Sequence, residues 1–421
     1  MIGKDLFIAN HRFQLKQTDN NLVLLRSHEN AQTIGYIGAL SLIFSLDLGE
    51  DPFLMPGAFQ CGIVQSAIIL FIIYIFSIFS FDVYFKTWVF GNVFSYGGIA
   101  SIAISKKTTL FIEILLIISL LAISMEFSRI TTSNIVDLLS IPSDPPSFLL
   151  NKWFIYYVVS ALTAFPCLFY NSISSFSITS LIGNFCLFLT IIAFIVGFVK
   201  YRQHDIVPTK YFSNNYKKTL SVIACSSNLF FINPILSTIV INISRPTVKN
   251  IKNLVRITNT LSFIVCLAFG LIGYYFSSDG DDITDVFPKG SVISIITKIG
   301  IIIKVLTSNI CYVYLISIKL CRAVLKGSEK WKLAVITSGL LVIAVSSIVQ
   351  FSDFQKVYAI FNIIGLIFQC FLNFGFPTVL FLKLFQLTSK LWASIAIILM
   401  LFTILICICI GFYGYYVVSE I

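Results

Sequence analysis

The sequence predicts an all-α polytopic membrane protein: two inverted five-helix repeats and an eleventh helix, with helices one and six broken in mid-membrane. Three observations carry that expectation. First, 57% of the 421 residues are hydrophobic and only 11% charged, against about 25% charged in a typical soluble domain. A chain of this length cannot hide so much apolar surface from water, so its solvent is lipid. Second, windows of about twenty mostly apolar residues, the length that crosses a bilayer as a helix, recur along the chain. Third, the first and sixth of these windows are interrupted by polar and helix-breaking residues.

The windows follow in order. Residues 1–33 are polar and mixed in charge, without the charged, apolar and cleavage regions of a signal peptide, so the first span is expected to direct insertion. The first window, Ile34–Gly62, is the broken one: between Asp47 and Phe59 it holds Asp47, Glu50 and Asp51, Gly49 and Gly57, and Pro52 and Pro56. Each carboxylate on a lipid-facing mid-bilayer helix would cost roughly 2.5–3.5 kcal/mol, and broken backbone at that depth survives only inside protein or along a cavity. Then come Ile63–Phe85, Thr109–Ser133, Trp153–Tyr170, Ile178–Val199, Thr219–Ile243, Ile257–Phe276, Ser291–Ser317, Leu333–Gln350, Val357–Leu382 and Leu391–Val418.

The Gly- and Ser-rich stretch Val89–Ser105 is ambiguous, and charge decides it. If it stays out of the membrane and the N-terminus is cytosolic, about twice as many Lys and Arg fall inside as outside; if it spans, the two sides are nearly equal. The positive-inside rule selects the first arrangement, which puts the C-terminus on the outer or lumenal side. The five basic residues of Lys200–Lys218 then fall on the outer side, against the rule.

The net charge of +10 is distributed in short runs between apolar segments, which argues for a membrane and against nucleic acid. The ten cysteines lie in or beside apolar runs, without the spacing of a metal site or disulfide framework, and read as small packing residues. His11, His28 and His204 all fall outside the windows, and no nucleophile–base set or nucleotide-binding loop is present. No catalytic residue, metal site or cofactor is therefore expected, and neither an enzyme nor an ATP-driven pump fits.

The second interruption is Cys225-Ser226-Ser227-Asn228-Leu229-Phe230-Phe231-Ile232-Asn233-Pro234. Pro234 removes a backbone donor and disrupts the helix, while the amides can bond a ligand or the freed carbonyls. Windows one and six head two groups of five, about 34–199 and 219–382, with 391–418 as an extra helix. Five is odd, so the second group is inverted. Paired interrupted helices at matching positions of inverted repeats point to the binding site of a secondary transporter.

The motifs extend this reading. Gly49, Asp51, Phe53, Met55, Pro56, Ala58, Phe59 and Gly62 fall in the register of a G-x-G-x-L-x-L-P-x-A-F segment followed by glycine, with Asp51 at the second glycine. Ser95-Tyr96-Gly97-Gly98-Ile99-Ala100 is similar to a Y-G-D-L-like loop after helix two, and Asn171–Ser177 to a short turn between helices four and five. Asn233-Pro234 through Arg245-Pro246, then Gly270-Leu271-Ile272-Gly273-Tyr274, is similar to a helix six, basic loop and G-x-x-G-Y helix seven. With these features the chain resembles the amino acid/auxin permease family, a branch of the amino acid–polyamine–organocation superfamily with the LeuT-type fold.

The resemblance implies a substrate amino acid held between the two breaks. Half-helix N-termini would face its carboxylate, and freed carbonyls its ammonium or a coupling cation. The expected binding residues are Gly49, Glu50, Asp51, Pro52 and Phe53 on one side and Ser226, Ser227 and Asn228 on the other. Glu50 and Asp51 could bind the ammonium, select cationic substrates or carry a coupling proton; they could also stand in a water-filled vestibule. Thr307 and Ser308 in the eighth window, with Asp51, are the candidates for coupling to H⁺ or Na⁺. Lys304 is expected to lie deep, with a carboxylate partner; Lys298 and Asp82 are expected to snorkel, and Glu126 to pair with Arg129. The function expected is secondary active transport of an amino acid by alternating access in a plasma or vacuolar/lysosomal-type membrane. The alternative is a multi-pass amino-acid receptor or sensor without net transport. Nothing in the sequence sets an oligomeric state.

Overall fold

The first helix breaks where its sequence says it must. Helix α1 (Tyr36–Leu48) stops at Gly49, whose φ of 40° lies in a region that side-chain-bearing residues rarely enter. Helix α2 (Asp51–Ala58) restarts with Pro52 in its first turn, where a missing N–H leaves no bond unmade. A 3₁₀ turn over Phe59–Cys61 and Gly62 at φ 120° then lead into α3 (Ile63–Gly91). The sixth window repeats this plan: α8 (Tyr216–Leu229) and α9 (Asn233–Val240) are separated by Phe230–Ile232, and α9 again has proline in its first turn. Both second halves thus begin with an acid or amide followed by proline, Asp51-Pro52 and Asn233-Pro234.

The computed structural model describes residues 14–18, 21–25, 33–91, 95–141, 146–170, 172–201, 210–244, 247–276, 287–288, 290–323, 331–350, 355–385 and 390–420. The three histidines, most of 1–33, residues 202–209 of the basic segment, Asn171 and Arg245-Pro246 lie outside the described residues.

Between and after the two interruptions run α4 (Tyr96–Ala103), α5 (Lys106–Leu139), α6 (Lys152–Phe169), α7 (Ser177–Tyr201), α10 (Val248–Phe276), α11 (Val292–Ala323), α12 (Trp331–Gln350), α13 (Gln355–Cys370), α14 (Phe376–Phe385) and α15 (Lys390–Glu420). Among its described residues the ambiguous Val89–Ser105 stretch holds the end of α3 and α4, which at 8 residues is about 12 Å long and too short to cross a membrane. The tenth window is continuous but not a regular α-helix: a π-helical turn over Phe371–Gly375 joins α13 to α14. Among the described residues, 9 helical stretches are long and apolar enough to cross a membrane. The halves α1 and α2 are each too short alone, and the apolar part of α12 runs only from Trp331 to Val345. A small antiparallel hairpin, β1 (Gln14–Thr18) with β2 (Asn21–Leu25), precedes the bundle.

Burial sorts the helices. The most apolar stretch of α8–α9 is 83% buried and those of α11 and α5 are 78% and 72%, whereas α3 and α15 reach only 28%. The first group is the interior and the second the rim, whose outward Phe71, Phe79 and Leu401 match lipid rather than water. Gly270 and Gly273 on α10 let Phe59 and Pro56 pack against its backbone, where any Cβ would overlap them. This contact gives the G-x-x-G spacing its physical role.

Charged residues within the bundle pair across helices. Lys319 of α11 meets Glu113 of α5 at 2.9 Å, Lys298 of α11 meets Asp137 of α5 at 2.9 Å, and Arg256 of α10 meets Asp82 of α3 at 2.9 Å. Asp82 and Lys298 therefore do not simply snorkel as expected; partners far away in sequence neutralise them in place. At one end of the bundle Ile34, just before α1, forms a parallel bridge with Ile243, just beyond α9. The Ile34 N–H donates to the Asn242 carbonyl (2.8 Å), and the Ser244 N–H to the Ile34 carbonyl (3.0 Å).

Candidate functional site

A cavity of about 500 Å³ lies against the break in the first helix, bounded by α2, α5, α8, α13 and the last turns of α15. The α1–α2 break presents Glu50 and Asp51 to it, because Gly49 turns the chain so that α2 starts at the cavity wall. From α8 comes Asn228, whose Nδ2 donates to Asp51 Oδ1 at 3.0 Å and so joins the two interrupted segments. From α5 come Glu126 and Arg129, one turn apart and ion-paired as their spacing predicts. Gln369 and Asn362 on α13 add amides to the polar lining, and Lys218, Gln60 and Tyr413 stand toward the opposite end from the Ile34–Ile243 bridge.

The site is acidic. Three carboxylates line it against two basic side chains, one of which, Arg129, is engaged by Glu126. Glu50, Asp51 and Gln369 are nearly inaccessible, at 2%, 4% and 2% exposure. Glu50 Oε2, Glu126 Oε2 and Gln369 Oε1 are buried acceptors without a hydrogen-bond donor among the described residues. A buried polar atom left unpaired costs about 1–3 kcal/mol, so donors brought to these oxygens, by a ligand or by water, are favoured.

The expected binding residues divide into two sets. Glu50, Asp51 and Asn228 line the cavity. Gly49 acts as the hinge, with the Phe127 ring where a Cβ would stand, while Pro52 and Phe53 turn inward, Phe53 packing edge-on against Phe269 at 5.7 Å. Ser227 donates to the Ile223 carbonyl of its own helix (2.6 Å), and Ser226 is fully buried; neither lines the cavity. Sequence reasoning missed Gln369 and Asn362, whose signal was the presence of amides inside an apolar window.

Thr307 and Ser308 belong to a separate polar cluster between α1, α7 and α11. Ser308 Oγ donates to the Ser45 carbonyl (2.9 Å), and Thr307 to the Lys304 carbonyl (2.8 Å). The fully buried Lys304 ammonium fills this cluster, donating to the Ser45 carbonyl (3.2 Å), Ser45 Oγ (3.1 Å) and Asn184 Oδ1 (3.0 Å). These acceptors are all uncharged, where a carboxylate partner was expected. The second break is anchored by Asn233, which donates to the Asn373 carbonyl (2.9 Å) and to Ser80 Oγ (3.1 Å) beside the π-helical turn. Among the described residues no group of three or more His, Cys, Asp or Glu could hold a metal ion.

The family model described as transmembrane amino acid transporter protein matches residues 51–420. The chain belongs to this family. It is accordingly a multi-pass membrane transporter and not an enzyme, and its substrate is a small molecule. Among solved structures it is similar to MhsT in complex with L-phenylalanine, at 14% identity over 91% of this chain and 100% of that one, with a TM-score of 0.59. It is also similar to a manganese transporter of Eremococcus coleocola, at 12% identity over 96% and 100% of the two chains and a TM-score of 0.54. These likenesses establish the LeuT-type fold for this transporter. No match was found among curated proteins.

Proposed function

We propose that this family member is a secondary active transporter of amino acids that works by alternating access, with residues 34–418 as one transport domain of two inverted five-helix repeats. The observation that carries the reading is the Asp51–Asn228 hydrogen bond: it joins the two interrupted segments at the wall of a cavity large enough for an amino acid. A ligand touching both breaks can bias their relative position, which is what coupling binding to a conformational change requires. The state described is open toward Lys218 and Tyr413 and closed at the Ile34–Ile243 end. With the N-terminus cytosolic, as the distribution of basic residues suggests, the open end is the outer or lumenal one.

The coupling ion proposed is H⁺. The oxygens around Ser45 and Ser308 are of the type that would bind Na⁺, but the Lys304 ammonium already supplies a positive charge there. The carboxylates at the first break, Glu50 and Asp51, are then the groups able to carry a proton with the substrate. The test is uptake of a radiolabelled amino-acid panel by purified protein in proteoliposomes, with imposed pH or Na⁺ gradients. Uptake driven by an inwardly directed proton gradient and indifferent to Na⁺ is expected. Absence of uptake above empty vesicles under either gradient overturns the transport reading; saturable binding without uptake identifies a receptor instead.

A further inference from the structure

We infer that the substrate amino acid carries a cationic side chain, an ammonium or guanidinium seated between Glu50, Glu126 and Gln369; this rests on the transport reading above and names its substrate class. The argument begins with hydrogen-bond polarity. The buried unpaired oxygens at this wall, Glu50 Oε2, Glu126 Oε2 and Gln369 Oε1, are all acceptors. An ammonium offers three donors and no acceptor, and a guanidinium five donors and no acceptor, so either complements the set. A carboxylate or a hydrocarbon side chain satisfies none of it.

Charge gives an independent argument. Glu50 lies within electrostatic reach of Asp51, Glu126 and Arg129. Arg129 is committed to Glu126, and Lys218 is exposed at the mouth. The inner cavity therefore holds three carboxylates, Glu50, Asp51 and Glu126, against one nearby basic side chain, Arg129, an excess of two negative charges. A neutral zwitterionic amino acid contributes no net charge and leaves that excess as it was. An amino acid with a cationic side chain contributes one positive charge, enough to balance one carboxylate while its α-ammonium meets the other.

The start of α2 adds a third constraint. The positive end of a helix ordinarily welcomes a substrate anion, but here Asp51 occupies the first turn and Pro52 has no N–H to give. This chain has placed its own carboxylate where the fold would otherwise favour one from the ligand. The cavity volume of about 500 Å³ has room for a long basic side chain as well as the α-substituents.

The test is equilibrium binding to the purified full chain in detergent, with arginine, lysine, leucine, glutamine, glutamate and the diamine putrescine as competitors of a labelled amino acid that binds. Arginine or lysine is expected to bind at least about tenfold more tightly than leucine or glutamine. In Glu50→Gln that ratio is expected to collapse toward one. Gln369→Leu, which keeps every carboxylate, is expected to narrow it by a smaller factor and supplies a second reading if the first variant does not fold. Equal or tighter binding of neutral amino acids by the unmodified protein overturns this inference and leaves the amino-acid reading standing. Putrescine binding more tightly than both basic amino acids shows that a carboxylate is not wanted and overturns it as well. Failure of every amino acid to bind overturns the transport reading itself.

Discussion

Replacing Lys304 by alanine should turn a sodium-indifferent protein into a sodium-responsive one. The substitution removes the ammonium that bridges Ser45 and Asn184 and leaves a pocket bordered by the Ser45 carbonyl, Ser45 Oγ, Asn184 Oδ1 and Ser308 Oγ. Ser45 Oγ can still bond Ser308 and the Ser45 carbonyl keeps the Ser308 hydroxyl, so one acceptor, the Asn184 amide oxygen, is left without its donor. At about 1–3 kcal/mol for that acceptor, less the desolvation cost that the buried ammonium no longer bears, a net loss of about 1 kcal/mol is expected in sodium-free buffer. Four oxygens at the vacated position suit a hard cation, and Na⁺ at a hundred times its dissociation constant would restore about 2.7 kcal/mol. For a chain of this size that corresponds to a rise of about 3 °C in unfolding temperature. The assay is thermal unfolding of Lys304→Ala and of the unmodified protein in detergent, titrated with NaCl against choline chloride. If the unmodified protein responds to Na⁺ as strongly as the variant does, the lysine does not stand in for a bound cation and the proton-coupling argument fails.

Three further expectations test other parts of the site. Asp51→Asn should weaken substrate binding by about 10- to 150-fold, the worth of one charged hydrogen bond, and flatten the dependence of uptake on the proton gradient; unchanged affinity and unchanged gradient dependence in proteoliposomes would remove Asp51 from both roles. Gly49→Ala forces a side chain into positive φ and against the Phe127 ring, so a loss of about 2–5 kcal/mol in thermal unfolding is expected. Gly411→Ala, in open space on α15, should instead stabilise slightly, and equal shifts for the two glycines would contradict the hinge assignment. Paired cysteines at Ile34 and Ile243, in a background without the native cysteines, should cross-link on oxidation and stop uptake while substrate still binds. Undiminished uptake by the cross-linked protein would show that this bridge is not the closed gate.

The fold was legible because lipid imposes a coarse grammar: apolar runs of fixed length, breakers where the backbone must leave the helix, and basic residues between runs. Glu50, Asp51 and Asn228 were legible as cavity residues for the same reason, since polarity at that depth is costly unless used. What the sequence hid was distance. Asp82 and Arg256, Lys298 and Asp137, and Lys319 and Glu113 each lie more than a hundred positions apart, and only helix packing brings them within 2.9 Å. Ser226 and Ser227 illustrate a different limit: a hydroxyl inside a helix can face a ligand or bond its own backbone, and composition does not distinguish the two. The turn at Phe371–Gly375 left no mark in hydropathy, because a π-helical insertion needs neither proline nor charge.

That turn has a mechanical consequence. One inserted residue shifts the phase of everything beyond it by about 100°. Gln369, in the cavity wall, lies just before the dislocation, and Asn373, holding the second break, lies within it. A dislocation in a crystal row lets planes slip by moving a defect one step, without parting every bond at once. The α13–α14 rod has the same option: displacing its defect by a turn would re-aim the cavity wall at Gln369 without unwinding the helix, and the bond from Asn233 to Asn373 ties that defect to the second break.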